Sequence, residues 1–557
     1  MKHNEYSAPI RIEKIELKNF KGVKNGVIEF NCLKKPVEKD TVSDIIGLYG
    51  QNGSGKSTLV EALHIAKIAM MGEPIPEDRF SNIISQTAKK AEMTITFQIK
   101  NQDGTFFHVE YKFSLENKIL SIKASDISSG AAMAGATLAG GLGLGTLAGA
   151  GVSTLAGAGL MAGVGIAGAP IIAPALALAA TTTAAGALVN KKHNSSKSSK
   201  NSKDEIRKVR RLVLSDEVLS MYGTFNGIET RLGPIFDTNT PEEEEIVFLP
   251  KAKHKLFFPQ DTILSLKELN KYKKRYKYNS KSFIFSSELT EMLLDQDDSN
   301  EYANIILDLK RFAINKFRVL DSKILGIINN DVIPIYTANR GVAIRKTDSS
   351  AFLDDAGIET LKVAIDGLNV ILKYVIPGLK LESVKQMGVD VANGERLPDD
   401  ELGYTVTVYS VRDGVRIPIA EESAGIIRLI TVLGQFSYAF ANDDVTVIID
   451  EIDAGIYEYL LGELLLLFEE NGAGQLLFTC HNLRPMEVIN KKFIYFTTTN
   501  PDNRYLKPKS IRKENNLRDV YLREIINGGQ EEDLYANSKH VKIAAALQKA
   551  GELIGED

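Results

Sequence analysis

An apolar strand, a glycine-rich turn and a helix follow one another near the N-terminus, and this succession constrains the fold more than any other feature. Residues 44–49 end in an apolar run, which predicts a buried strand, and residues 57–70 have a helical pattern. The turn between them fits the pattern G-x-x-x-x-G-K-[ST] and extends to Thr58; it reads Gly50-Gln51-Asn52-Gly53-Ser54-Gly55-Lys56-Ser57. Backbone N–H groups of such a loop enclose phosphate oxygens, and the helix N-terminus favours an anion. The pattern therefore predicts a phosphate-binding loop.

Side-chain chemistry in and after this loop is typical of ATP and Mg²⁺ binding. Lys56 is placed to reach the β and γ phosphates, and the Ser57 hydroxyl to ligate Mg²⁺. A second apolar strand, Val445–Ile449, ends in two acids. Asp450 is predicted to hold Mg²⁺ through water, and Glu451 to act as the general base on the attacking water.

A third strand, Gln475–Thr479, is followed by Cys480 and His481. A histidine after a strand is usually structural. Here a helix separates it from Glu451, and we interpret His481 as a residue that contacts the γ-phosphate and holds the attacking water. Glu451 and His481 are thus the candidate catalytic residues.

Together these motifs resemble the ABC-type ATPases of the SMC/RecF group, in the compact form found in bacterial anti-phage ATPases of the Septu and overcoming-lysogenisation-defect kinds. Asn19-Phe20-Lys21 is similar to that family's opening, and Asp450–Gly455 resembles its Walker B motif plus D-loop. Glu422-Ser423-Ala424-Gly425 resembles its signature motif, with Ala424 in place of the commoner Ser or Gly. A candidate for the family's Q-loop glutamine is Gln86.

The resemblance implies that Ser423 and Gly425 contact the γ-phosphate of ATP bound to the opposite subunit. Because the chain has one copy of each motif, the resemblance implies a homodimer of ATPase heads or a higher homo-oligomer. About 75 residues follow His481, too few for the nuclease domain of some relatives, so we expect any effector to be a separate protein.

The predicted fold class is α/β, a P-loop NTPase of ABC/SMC-head type with a mixed sheet, interrupted by a Gly/Ala-rich segment and a largely helical insertion. Helical patterns in the insertion include residues 303–328. The predicted domains are an ATPase N-lobe with the P-loop (1–126), the Gly/Ala-rich insertion (127–190), a basic linker with a mainly helical insertion (191–380), an ATPase C-lobe (381–515) and a C-terminal tail (516–557).

Composition excludes some classes of protein. With 67 Lys+Arg against 71 Asp+Glu, the near-neutral balance excludes a protein whose whole surface binds nucleic acid, although a local basic patch is compatible with it. Two cysteines suit a reducing compartment, and polar residues 1–9 do not predict a signal peptide. We therefore expect a cytoplasmic protein, with conditional membrane association as an alternative.

The segment Ile127–Asn190 contains no charged or aromatic residue and repeats Thr-Leu-Ala-Gly. Its GxxxG spacings suit close helix contacts. Three interpretations stay open: a small-residue helical hairpin packed within the oligomer, a conditionally membrane-inserting element, and a mobile low-complexity loop.

Basic residues after this segment raise two further hypotheses. Lys271–Lys277 interleaves cations with tyrosines, a pattern typical of phosphate neutralisation and base stacking, or of a solvated helix face. This cluster keeps open the hypothesis that the protein is a RecF-like DNA-repair ATPase. Lys191–Arg211 is also basic and could meet anionic lipid. With the Gly/Ala segment it leaves open an ATP-gated membrane-perturbing protein.

Overall fold

The computed structural model describes residues 9–30, 44–101, 104–123, 206–225, 228–230, 234–238, 280–294, 301–322, 332–337, 340–387, 403–508, 516–527, 532–535 and 540–555. The predictions for Ile127–Asn190 and Lys271–Lys277, and those for residues 191–205, lie outside the described residues.

In the described part of the chain, the strands contribute about as many residues to the regular structure as the helices do. In chain order they are β1 Ile10–Phe20, β2 Val23–Glu29, β3 Asp44–Tyr49, β4 Lys90–Lys100, β5 Phe106–Lys123, β6 Ile206–Phe225, β7 Ile228–Thr230, β8 Pro234–Asp237, β9 Phe317–Leu320, β10 Val332–Tyr336, β11 Gly341–Arg345, β12 Ser350–Leu353, β13 Lys380–Met387, β14 Tyr404–Arg412, β15 Val415–Pro418, β16 Thr446–Ile449, β17 Gln475–Thr479, β18 Ile494–Thr497 and β19 Tyr505–Leu506. The α-helices are α1 Lys56–Met71, α2 Glu77–Phe80, α3 Ser287–Leu294, α4 Glu301–Asn315, α5 Asp355–Val375, α6 Ala424–Ala441, α7 Glu458–Asn471, α8 Pro485–Val488, α9 Leu517–Asn527 and α10 His540–Gly555.

A central sheet carries the predicted motifs. Its order is β19-β18-β3-β17-β16-β9, and all neighbours are parallel except β18 and β19. The strands β3, β16 and β17 are buried at every residue, as expected for a parallel sheet covered on both faces. Ile46 and Leu48 pack into one hydrophobic core, while Ile45 and Tyr49 pack into a second core on the opposite face.

A second, antiparallel sheet in the order β2-β1-β4-β5-β6-β7, with β8 paired to β6, shares the first core with α1 and α4. Its β5 and β6 form a long ribbon whose pairing runs from Phe107 and Gly223 to Lys123 and Ile206. A smaller antiparallel sheet, β12-β14-β13 with β15 paired to β14, lies in the second core with α5 and α6. The α/β P-loop fold of ABC/SMC type with a mixed sheet is thereby confirmed.

The fully buried amide of Gln475 connects the two large sheets. Its Oε1 accepts from the Ile12 backbone N–H at 2.7 Å and from the Thr446 hydroxyl at 2.8 Å. Its Nε2 donates to the Ile12 carbonyl at 2.7 Å and to Asp44 Oδ2 at 2.8 Å. One side chain therefore ties β1 to the first residues of β3, β16 and β17.

The region predicted as a largely helical insertion is more mixed in its described part. The helix expected over residues 303–328 ends at Asn315, and β9 begins two residues later at Phe317. The prediction was wrong there because Phe317–Leu320 is only four residues long and is buried at every residue, including Arg318, so it shows no alternation of apolar and polar residues that would separate it from the helix before it. The strands β6 to β8 and β10 to β12 also fall in this region.

One helix in the described part of the chain, α6, is long and apolar enough by composition to cross a membrane. Half of that window is buried in the protein, and its neighbours include β10, β16 and α5. A buried core helix passes the same test of length and hydropathy.

Replacement of Gln475 tests how much its amide contributes to the stability of the fold. We expect Gln475→Leu to lower the free energy of unfolding by about 3 kcal/mol, because it removes four buried hydrogen bonds, one of them to a carboxylate. Urea denaturation measures the change. The matched control is Gln386→Leu on the exposed side of β13, where we expect a change within about 0.5 kcal/mol. Equal effects of the two substitutions would contradict a connecting role.

Candidate active site

The phosphate-binding loop lies between β3 and α1, as the sequence predicts. Gly50, Gly53 and Gly55 have positive φ angles of 155°, 77° and 97°. A Cβ atom at Gly50 would lie 1.7 Å from Thr497 Oγ1, so only glycine fits there, whereas a Cβ at Gly53 would meet nothing within 4 Å. The backbone thus turns tightly at one end of the loop and borders open space in its middle.

Lys56 folds back over this loop. Its Nζ donates to the carbonyls of Gly50 at 2.7 Å and Gln51 at 3.0 Å, and its side chain is almost fully buried. Burial lowers the pKa of Lys56, while the carboxylates of Asp450 and Glu451 act in the opposite direction. A buried ammonium held only by neutral carbonyls would gain strongly from an anion, so the loop fits a nucleotide phosphate.

The remaining loop residues differ in exposure. Ser54 is buried and its hydroxyl donates to the Gln51 carbonyl at 2.6 Å. Asn52 and Ser57 are exposed, and Thr58 is buried in the first turn of α1. The exposed hydroxyl of Ser57 is therefore available on the open side of the loop.

Ser57 and Asp450 meet at the carboxyl ends of β3 and β16. Ser57 Oγ lies 3.4 Å from Asp450 Oδ1, which also accepts the Thr479 hydroxyl at 2.7 Å. Burial raises the pKa of Asp450, and the Thr479 hydrogen bond opposes that rise. A hydroxyl and a buried carboxylate in this position form the oxygen donor set that Mg²⁺ shares with nucleotide phosphates. The residues present fit an Mg²⁺–nucleotide complex.

Glu451 has a left-handed backbone conformation, with φ of 49°. For a non-glycine residue this conformation costs on the order of 1–2 kcal/mol, so it must be imposed by its surroundings. The Glu451 N–H donates to Thr479 Oγ1 at 2.7 Å, and its carbonyl accepts from the Arg428 guanidinium, which also donates to the Asp450 carbonyl at 3.0 Å. These two side chains hold Glu451 beside Asp450.

His481 is exposed just beyond β17. Its backbone N–H donates to Asp453 Oδ2 at 3.0 Å, as does that of Asn482 at 2.7 Å, which joins the D-loop region to the end of β17. Desolvation by the surrounding protein lowers the pKa of His481, and the charge of Lys56 adds to the effect. Its imidazole is therefore neutral at pH 7, with one nitrogen donating and the other accepting.

The signature residues Ser423 and Gly425 lie at the start of α6. Ser423 is the exposed N-cap, and its Oγ accepts from the Ile426 N–H at 3.4 Å. Gly425 packs against the D-loop glycine Gly455 so closely that a Cβ at Gly425 would lie 2.4 Å from the Gly455 carbonyl oxygen. The structure thus joins the signature to the D-loop of the same chain.

Sequence reasoning missed the side chains that support these residues. Thr479 contacts Asp450 and Glu451, Arg428 contacts both backbone carbonyls, and the Tyr505 hydroxyl donates to the Gly55 carbonyl at 2.9 Å. Thr479 is the last residue of a predicted strand, so its position could have indicated that it lies beside the acids. Nothing in the sequence marks Arg428 or Tyr505 as site residues. Gln86 is exposed, and its assignment to the Q-loop stays a prediction.

Removal of the Thr479 hydroxyl tests its support of the metal site. We expect Thr479→Val to raise the pKa of Asp450 further and free the Glu451 backbone, because one hydroxyl bonds both. The Mg²⁺ concentration needed for half-maximal binding of a fluorescent ATP analogue should rise roughly tenfold or more. The control is Thr431→Val, since that buried hydroxyl bonds only the Ile427 carbonyl of its own helix. An unchanged Mg²⁺ requirement in Thr479→Val would refute the support.

Comparison with known proteins gives a family and several distant structures. A family model described as an AAA domain matches residues 14–315. The chain is similar to an Smc head domain with a coiled coil and joint from Pyrococcus yayanosii (12% identity, 92% of this chain and 100% of that one, TM-score 0.35). It is also similar to the SMC head domain from Thermotoga maritima (11% identity, 90% of this chain and 100% of that one, TM-score 0.30). A further similar structure is the recombination mediator protein RecF bound to ATP (11% identity, 86% of this chain and 94% of that one, TM-score 0.28).

No curated protein matches the chain. The family model spans more than half of the 557 residues, so the chain belongs to the AAA domain family.

Proposed function

We propose that this protein is an Mg²⁺-dependent ATP hydrolase whose sites are completed at a head-to-head homodimer interface. The observation that carries the proposal is the convergence of Lys56, Ser57, Asp450 and Glu451 at the carboxyl edge of one parallel sheet, with Thr479 bonded to both acids. Ligands of open α/β sheets bind at this edge.

Each residue has a role that follows from its position. Lys56 exchanges the Gly50 and Gln51 carbonyls for phosphate oxygens, and the backbone N–H groups of the loop bind the same anion. Mg²⁺, when bound, neutralises phosphate charge, and Ser57 and Asp450 are the residues that would hold it. Glu451 takes the proton of the attacking water, and the neutral His481 imidazole orients that water.

The dimer proposal is supported by the signature. Ser423 is exposed at the N-terminus of α6, and the first backbone N–H groups of a helix have no acceptor within the helix and favour an anion. Gly425 packs tightly against Gly455, which follows Asp450 by five residues. A phosphate of the partner's nucleotide that binds the signature would therefore lie next to a segment that continues from the catalytic acids. This geometry links closure of two heads to the state of each site.

For the cell, we propose that the ATPase is the sensor or switch of a cytoplasmic bacterial anti-phage defence system that acts with a separate effector. The motif resemblance supports this role. The alternatives that use Lys271–Lys277 or Ile127–Asn190 depend on residues outside the described part of the chain, and no observation in the described part favours them.

Replacement of the general base separates binding from hydrolysis. We expect Glu451→Gln to bind ATP normally and to lower turnover by about 100-fold or more, because no carboxylate remains to accept the proton. Sedimentation with Mg²⁺ and ATP should show accumulated dimer. Cells carrying the chain with its neighbouring genes should lose protection against phage when this variant replaces the wild type. Wild-type turnover would contradict the role of Glu451, and protection equal to that of the wild type would contradict the switch.

Mixing two inactive variants tests the shared site. Lys56→Ala removes the phosphate ligand of one chain, and Ser423→Asp repels phosphate while keeping an N-cap. Each variant alone should be inactive. When the two variants are co-expressed, random pairing makes about half of the dimers mixed, and each mixed dimer has one of its two sites complete. Turnover of the unsorted mixture should therefore recover to about a quarter of the wild-type value. No recovery would contradict sites built from two chains.

A further inference from the structure

The chain leaves the end of β17 in a turn that carries His481, and one carboxylate holds this turn. Asp453 Oδ2 accepts the backbone N–H of His481 at 3.0 Å and that of Asn482 at 2.7 Å. Hydrogen bonds to an ionised acceptor are roughly twice as strong as those between neutral groups. Because two of them converge on one oxygen, the carboxylate fixes the direction of the backbone where the imidazole is attached.

The imidazole has no such anchor of its own. His481 is exposed in the single head, and in the described part of the chain it takes part in hydrogen bonds only through its backbone. A side chain can hold a water in one place only if the element that carries it is itself held. The placement of this ring therefore depends on the backbone turn, and hence on Asp453.

Asp453 is itself fixed between the sheet and the signature. The N–H of Ile452, its buried neighbour, donates to the Thr479 carbonyl at 3.0 Å. Two residues after Asp453, Gly455 packs against Gly425 so closely that a Cβ on Gly425 would lie 2.4 Å from the Gly455 carbonyl oxygen. A carboxylate held on both sides can impose its position on the turn after β17.

Asp453 has two ways to act on His481, through its charge or through the backbone. Desolvation and the charge of Lys56 lower the pKa of His481 and outweigh the carboxylates of Asp453 and Glu451, which act in the opposite direction. The ring is therefore neutral at pH 7 and needs no counter-charge. The backbone bonds remain as the route, and they need an acceptor oxygen rather than a charge.

We propose that Asp453 is a positioning residue for the proposed hydrolysis and that it acts by placing His481. The inference rests on the proposed role of His481 in orienting the attacking water. Asp453 need not touch the nucleotide, because its oxygen holds the turn that keeps the imidazole within electrostatic reach of Lys56 and Glu451. Without Asp453, the base and the phosphate ligand stay in place while the water loses one of its partners.

Steady-state turnover tests this role in a cycle of variants. We expect Asp453→Ala to lower kcat by about 10- to 100-fold, because the ring that orients the water is misplaced. The dissociation constant of a fluorescent ATP analogue should stay within about twofold of wild type, since Lys56 and its loop are unchanged. In a His481→Ala background, Asp453→Ala should cause no further loss, because the residue that it places is gone.

Two further variants serve as controls. Glu469→Ala removes another carboxylate that accepts a backbone N–H, that of Asn490 at 2.7 Å, and should leave kcat within about twofold of wild type. Asp453→Asn loses the charge but keeps an oxygen that can accept both N–H groups, so it should retain most of the wild-type kcat. Additive losses in the cycle, or an Asp453→Asn variant as slow as Asp453→Ala, would overturn the proposal.

A second measurement needs no nucleotide. The chain has seven histidines, so NMR of protein labelled in the histidine rings can resolve them, with His481 assigned by its missing signal in His481→Gln. We expect the His481 signal to move toward that of an unconstrained ring in Asp453→Ala and to stay in place in Asp453→Asn. An unmoved signal in Asp453→Ala would refute the positioning role. A chain that shows this shift but no ATP turnover would refute the proposed hydrolysis instead, so the two failures are separate results.

Discussion

The amide of Gln475 sets the register on which the site depends. It bonds to Asp44 and Thr446, the first residues of β3 and β16, and it is itself the first residue of β17. These three short strands begin level with one another and end within two residues of one another, and the phosphate loop, the paired acids and His481 follow their ends. The same amide fixes β1 through Ile12, so the antiparallel sheet is positioned by the contact that aligns the site.

Burial at the other end of these strands produces a site whose charges are only partly compensated by one another. Lys56 and Asp450 are both nearly inaccessible to water, and burial disfavours the charged form of each. Neutral carbonyls and one threonine hydroxyl offset only part of this cost. A phosphate anion beside the lysine and a divalent cation beside the carboxylate would offset the remaining cost of burying these two groups.

The parts of the site that could be predicted are motifs whose residues are contiguous in the sequence. The loop around Lys56, the acids after Val445–Ile449 and the histidine after Gln475–Thr479 each follow an apolar strand, and strand ends of a parallel sheet meet at one edge. The supporting contacts were not predictable, because Arg428 reaches carbonyls more than 20 residues away and Gln475 bonds to Ile12 across the whole chain. The left-handed conformation of Glu451 had no sequence signal, since glutamate gives none. The strand β9 was missed because its burial on both faces erases the period of two.

The ribbon of β5 and β6 has a consequence for how this chain can change over evolution. Its last pair, Lys123 and Ile206, holds the two ends of everything inserted between them at about the spacing of adjacent strands, near 5 Å. Because the ends of an insertion are close together here, a longer insertion destabilises the sheet only slightly: each doubling of loop length costs about 0.6 kcal/mol of closure entropy. The ATPase core can therefore exchange this segment for another, or shorten it to a simple turn, without altering a single contact around Lys56 or Asp450.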